Sequence, residues 1–128
     1  MKLIYGVAVW LCLSVTATLV AQNGVQRTVV QRMDSSVPGR ETLSVRVEVA
    51  AGASTGRHTH PGDEIDYVVD GEGEWMVEGQ ANRKARAGDS IIIAGGSVHE
   101  ARNTGASPLK VMAVFVVEKG KPLTTAAQ

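Results

Sequence analysis

The sequence predicts an all-β domain, and three observations carry that prediction. Apolar and polar residues alternate with a period of two over much of residues 42–118, the side-chain period of a strand with one buried face. Glycine-containing turns interrupt the alternation at short intervals. Nothing in the same span shows a helical period flanked by capping residues. Many short strands in one small domain leave unpaired edges, and a closed barrel or double-sheet jelly roll hides them best.

The elements follow in order. Leu43, Val45, Val47 and Val49 alternate with Ser44, Arg46 and Glu48 in the first strand, and residues 51–56 make a Gly-rich turn. Residues 65–69 form the next strand, with a hairpin signal at Asp70-Gly71-Glu72-Gly73. In the return strand Trp75 and Val77 alternate with Glu74, Met76 and Glu78. Residues 90–94 read as a short buried strand between Gly88-Asp89 and Gly95-Gly96. The longest strand covers residues 109–118 and puts Leu109, Val111, Ala113, Phe115 and Val117 on one face. Residues 22–41 read as a polar, loosely patterned N-terminal extension with a turn at Pro38-Gly39. Residues 119–128 read as a frayed C-terminal tail, leaving 42–118 as the domain proper.

Composition narrows the function. A chain of 128 residues makes one domain, and its formal net charge is zero. It has no Lys/Arg run and only 4% aromatic residues, so a nucleic-acid partner is excluded. The core must come from Val, Ile, Leu and Ala, and β-branched side chains suit a pleated, half-buried surface.

Residues 1–21 read as a secretory signal peptide: Lys2, an apolar run through Leu13, then a small-residue exit ending at Ala17 or Ala21. An uncleaved anchor is the rival, but the apolar core is short and the exit residues are small. The expected location is therefore the periplasm or outside the cell, with no stable membrane insertion after cleavage. Cys12, the only cysteine, leaves with the signal. The mature domain then has no disulfide, no thiolate ligand and no cysteine nucleophile, so chemistry must rest on oxygen and nitrogen groups.

Three histidines remain: His58, His60 and His99. On a strand, His58 and His60 point to one face with roughly 6–7 Å between their Cα atoms, and both imidazoles reach a common ion. Glu64 follows after the turn Pro61-Gly62-Asp63, which can swing the next strand round to the same point. By itself His-x-His followed by an acid is equally well an exposed polar loop.

The flanking residues decide between those readings. Gly52, His58, His60, Glu64 and Gly71 stand at the spacing G-x5-H-x-H-x3-E-x6-G, and Gly88, Gly96, His99 and Asn103 follow G-x5-P-x-G-x2-H-x3-N. This pair of motifs resembles that of the cupins, specifically the small single-domain members. One position departs: Ala94 stands where the second motif has a proline that shapes a turn. The resemblance covers roughly residues 40–118. It implies a double-stranded β-helix, or jelly-roll barrel, with His58, His60, Glu64 and His99 as ligands of one divalent metal ion.

Three imidazoles and one carboxylate suit Fe(II), Mn(II), Ni(II), Zn(II) or Cu(II), with iron or manganese favoured. An octahedral ion so held keeps two positions for water, dioxygen or a chelating substrate. Strand alternation from Glu64 turns Asp66 and Val68 inward and Ile65, Tyr67 and Val69 outward. Asp66 is the candidate acid or base, or the partner of a ligating imidazole; a solvated carboxylate at the barrel mouth is its simpler reading. Glu100 and Arg102 alternate away from the site, and Asn103 fixes a turn. The expected ligand is a small oxygen-rich molecule, handled by dioxygenase-, isomerase- or lyase-type chemistry or simply bound. A homodimer paired through sheet edges is the expected assembly.

Overall fold

The computed structural model describes residues 20–128, so the expected signal lies almost wholly outside the described residues. The first strands are β1 (Val20–Gln22), β2 (Val25–Asp34), β3 (Arg40–Val49), β4 (His58–Thr59), β5 (Gly62–Asp70) and β6 (Glu72–Val77). They are followed by β7 (Arg83–Arg86), β8 (Ser90–Ile93), β9 (His99–Asn103), β10 (Leu109–Glu118) and β11 (Thr125–Ala126). Among the described residues there is no helix. The strands build two antiparallel sheets, one in the order β1-β2-β3-β10-β5-β8 and the other β11-β4-β9-β6-β7. This is the expected all-β jelly-roll barrel.

The alternation seen in the sequence becomes the inner lining. Along β10, Leu109, Val111, Ala113, Phe115 and Val117 are all buried and their neighbours are not. β10 ladders with β3 on one side and β5 on the other, so Ala113 lies between Val45 and Asp66. Trp75, Leu43, Leu109, Val25, Val49, Val68 and Val117 are the largest fully buried side chains. Burying each such aliphatic side chain contributes about 1.5–3 kcal/mol, and those contributions offset the entropy of ordering the strands.

Three segments differ from the sequence reading. Residues 25–34, taken as a loose extension, form strand β2, paired with β3 from Val25↔Val49 to Asp34↔Glu41. The domain's sheet therefore begins well before residue 42. Periodicity missed the strand because only Val25 is buried, and from Val29 onward both faces are exposed.

The turn expected to close a hairpin at residues 70–73 is a corner between the sheets. β5 pairs with β10 and β8, whereas β6 pairs with β9 and β7. Gly71 makes the corner at φ +81°, where a Cβ would lie 2.8 Å from the Pro108 carbonyl oxygen. Only glycine meets both demands there.

The C-terminal tail is ordered rather than frayed. Thr125 and Ala126 pair with Thr59 and His58, and Ala127 N–H donates to the Arg57 carbonyl at 3.0 Å. Backbone hydrogen bonds hold this strand, so no side-chain pattern announces it.

Candidate metal centre

His58 lies on β4 and His60 just past its end, and both are 6% exposed. The chain then turns at Pro61-Gly62 into β5, which carries Glu64 inward at 7% exposure. Gly62 has no room for a side chain: a Cβ would overlap the Val116 carbonyl oxygen. The same corner is tied to the second motif by Gly96 N–H donating to the His60 carbonyl (3.0 Å) and Gly95 N–H donating to Asp63 Oδ1 (2.9 Å). Ala94 does not spoil the turn, since Ser97 N–H still closes it on the Ala94 carbonyl at 3.2 Å. His99 opens β9 directly opposite His58.

These four side chains converge. Glu64 Oε2 is 2.8 Å from His99 Nε2 and 3.1 Å from His60 Nε2. The imidazole centroids are 4.3 Å (His58–His99), 4.8 Å (His58–His60) and 5.2 Å (His60–His99) apart. One ligand atom from each residue lies within 4.8 Å of all the others.

The backbone fixes which nitrogen faces the centre. His58 Nδ1 is 2.7 Å from the Gly56 carbonyl, His60 Nδ1 is 2.6 Å from that of Leu123, and His99 Nδ1 is 2.9 Å from that of Ser97. A carbonyl only accepts, so each Nδ1 carries its proton and donates. In the neutral ring each Nε2 then presents a lone pair. His60 Nε2, His99 Nε2 and Glu64 Oε2 are buried without an aligned hydrogen-bond partner, despite their short separations. Acceptors facing acceptors in a dry interior are costly. A divalent cation would satisfy these three together with His58 Nε2, so the donor set fits a metal of the borderline class.

The electrostatics of the individual groups differ. Burial pushes the His58 imidazole down to about 4 and keeps it neutral. Burial alone would raise Glu64, but contacts with His60 and His99 outweigh it and hold the carboxyl well below its usual range. His99 is lowered by burial and raised by Glu64 and the Ser97 carbonyl, with a net rise. The carboxylate is thus ionised and ready to oppose a positive charge.

A model of the cupin domain matches residues 45–115, which span both motifs. The chain belongs to the cupin family. It is 36% identical over 87 residues to a germin-like protein (subfamily 2 member 2) of Arabidopsis thaliana, covering 62% of this chain and 40% of that one. It is also 34% identical over 76 residues to an oxalate-binding protein of Thermotoga maritima, covering 59% of this chain and 62% of that one. The chain thus spans less than two thirds of the length of either relative. Among solved structures, a double-stranded β-helix protein of Klebsiella pneumoniae superposes with a TM-score of 0.69 at 25% identity, covering 84% of this chain and 88% of that one.

Beside the cluster this cupin has a cavity of about 40 Å³, walled by Val45, Val47, Val111 and Phe115. Asp66 lines it, as strand alternation from Glu64 predicts, but it is not the solvated carboxylate that the sequence favoured. It is 4% exposed, its Oδ2 accepts a 2.8 Å hydrogen bond from Trp75 Nε1, and its Oδ1 has no partner. Burial, then the charge of Glu64, raises its carboxyl well above the usual range. Asp66 holds none of the imidazoles, because backbone carbonyls take all three Nδ1 positions. Asn103 fixes a turn as expected, donating to the Val49 and Ser107 carbonyls and accepting from Gly105 N–H. Sequence reasoning missed Arg27, Leu123 and Thr124, which also line the cavity. They come from the two segments that carry no clear pattern, and only the spacing of Arg27 from Val25 hinted at a shared face.

Proposed function

We propose that this protein is a divalent-metal-dependent cupin that binds and transforms a small oxygen-rich molecule inside its barrel. The ligands are His58, His60, Glu64 and His99, with iron or manganese the favoured ion. The observation that carries this reading is the set of three Nδ1–carbonyl contacts, which turn three Nε2 lone pairs toward one point beside the Glu64 carboxylate. An ion held there supplies Lewis acidity toward oxygen donors. The aliphatic wall excludes water, and the small cavity limits the ligand to a few heavy atoms.

The alternative is a non-enzymatic module that binds or senses such a molecule, and the oxalate-binding relative supports it. Asp66 tips the balance toward catalysis. Its Oδ1 is a buried, unpartnered carboxyl oxygen lining the same cavity, a group a passive binding wall does not need. Dioxygenase-, isomerase- and lyase-type reactions all remain within this chemistry.

Metal analysis of protein purified from its own host tests the proposal. About one divalent ion per chain is expected, with loss of at least tenfold in affinity for His99→Ala and Glu64→Gln. A wild-type chain that neither carries nor takes up a divalent ion refutes it.

Two further proposals concern the setting. Residues 1–21 support export to the periplasm or the exterior. Exposed Ile65, Tyr67, Val69 and Ile92 on neighbouring strands β5 and β8 support a homodimer, tested by light scattering.

A further inference from the structure

The last segment of the chain forms one side of the cavity beside the His–Glu cluster, through Leu123 and Thr124. The walls around it are held firmly. Val45 and Val47 stand on β3 and Val111 and Phe115 on β10, and each of these strands is laddered on both sides. The C-terminal segment is not. β11 is an edge strand that pairs only with β4, over the two positions Thr125↔Thr59 and Ala126↔His58. Ala127 N–H adds one bond to the Arg57 carbonyl (3.0 Å), and the Leu123 carbonyl accepts from His60 Nδ1 (2.6 Å). Upstream, Lys119 is fixed by its N–H to the Gly39 carbonyl and by an ion pair with Asp34 at 2.6 Å. Gly120 follows, exposed at φ +79° with open space around it, a conformation suited to a hinge. Beyond it only Leu123 and Ala127 are even half-buried, and Leu123 packs against the core cluster that holds Val45 and Phe115. Few buried contacts and few backbone bonds put this segment at the low-stability end of the fold.

We propose that residues 121–128 are a strap that lifts about Gly120 to admit ligand, and that the Leu123 side chain sets which ligands fit once it closes. The proposal rests on the metal-dependent reading above. Size argues for it: a cavity of about 40 Å³ has room for a few waters, so a ligand that reaches the centre needs a wall that moves. Placement argues for it too. Leu123 puts its side chain against the core cluster and its carbonyl on His60, so closing the strap narrows the cavity and fixes the imidazole in one movement. An open strap leaves the His60 ring without its acceptor. Ligand entry and the assembly of the cluster are thereby coupled.

Two measurements on the full chain test it. The first needs no metal: solvent exchange of the three imidazole Nδ1 protons, followed by NMR. His60 makes the shortest of the three bonds, 2.6 Å against 2.7 Å for His58 and 2.9 Å for His99, so a static site predicts that its proton exchanges slowest. A lifting strap predicts the reverse, with His60 at least about 10-fold faster than the other two. A disulfide between Thr59→Cys and Thr125→Cys, directly opposite in register, should abolish that excess in a Cys12→Ser background, and reducing it should restore the excess. A His60 proton that exchanges no faster than the others overturns the strap. The second measurement titrates imidazole and benzimidazole into the cobalt-loaded chain and compares their affinities within each variant. Leu123→Ala should raise the preference for benzimidazole at least about 10-fold, and Leu123→Phe should lower it. A merely structural role shifts melting temperatures but not this ratio. Equal ratios in wild type and both variants overturn Leu123 as the size determinant. A chain that takes up no cobalt refutes the metal reading and the ligand sizing with it, and proton exchange alone then decides whether the strap opens.

Discussion

Trp75 donates its indole N–H to Asp66 across 2.8 Å, joining β6 of one sheet to β5 of the other inside the barrel. Trp75 is 1% exposed and Asp66 4%, so neither has water as an alternative partner. Trp75→Phe removes the donor and leaves a cavity, at an expected cost of about 2–4 kcal/mol in urea unfolding. Asp66→Asn behaves differently. Burial raises the Asp66 carboxyl above its ordinary 3.8, so its favourable contribution is complete below that value and fades as pH rises through the folded one. Asn cannot ionise, and urea midpoints of the metal-free variant should lose that decline on the alkaline side.

His58 gives the opposite slope. Its ordinary value of 6.5 is lowered to about 4 by burial, so between those values the unfolded chain binds a proton that the folded chain refuses. Metal-free protein should therefore lose stability as pH falls from 6.5 toward 4, by on the order of 3 kcal/mol from this residue. Glu64, lowered, adds a loss in the acid range below its ordinary 4.5. His99, raised, contributes fully below 6.5 and less as pH climbs through its folded value. The difference between wild type and His58→Gln, measured by urea midpoints across the acid range, isolates the first slope. A slope that persists unchanged in the variant would assign it elsewhere.

The C-terminal segment just before β11 orients one imidazole of the cluster. His60 Nδ1 reaches the Leu123 carbonyl at 2.6 Å and approaches Thr124 Oγ1 at 3.4 Å, both beyond the last core strand. Removing residues 121–128 should leave the barrel folded but free the ring to rotate. Metal affinity is expected to fall about 10- to 100-fold in competition with a chelator, the usual effect of losing a ligand's supporting hydrogen bond.

Gly62 sets the corner between His60 and Glu64. Because a Cβ there would overlap the Val116 backbone, Gly62→Ala must push β5 away from β10. The expected cost exceeds about 3 kcal/mol, with metal uptake lost alongside. Gly79, at φ +80° with open space around it, is the control: an alanine there should cost only about 1 kcal/mol. Thermal melts of the two variants check the difference.

The candidate site was legible because two motifs placed every histidine of the chain at a ligand position, and β5 alternation put Glu64 and Asp66 on the inner face. What Asp66 does there was not legible. Whether a carboxylate two residues from Glu64 meets water or an indole depends on Trp75, which lies on a strand of the other sheet. Strand β2 escaped for a related reason, since a strand exposed on both faces has no hydrophobic period to read.

By itself the sequence determined the all-β class, the inward faces of β3, β5, β6 and β10, and the identity of the four clustered side chains, because strand period and motif spacing are local properties of the chain. Tertiary structure alone decided that Gly71 turns a corner between sheets, that the tail supplies a carbonyl to His60, and that Arg27 reaches the cavity. Each of those depends on backbone groups or long-range pairings. A carbonyl oxygen is the same in every residue, so nothing in the order of amino acids marks which one an imidazole will find.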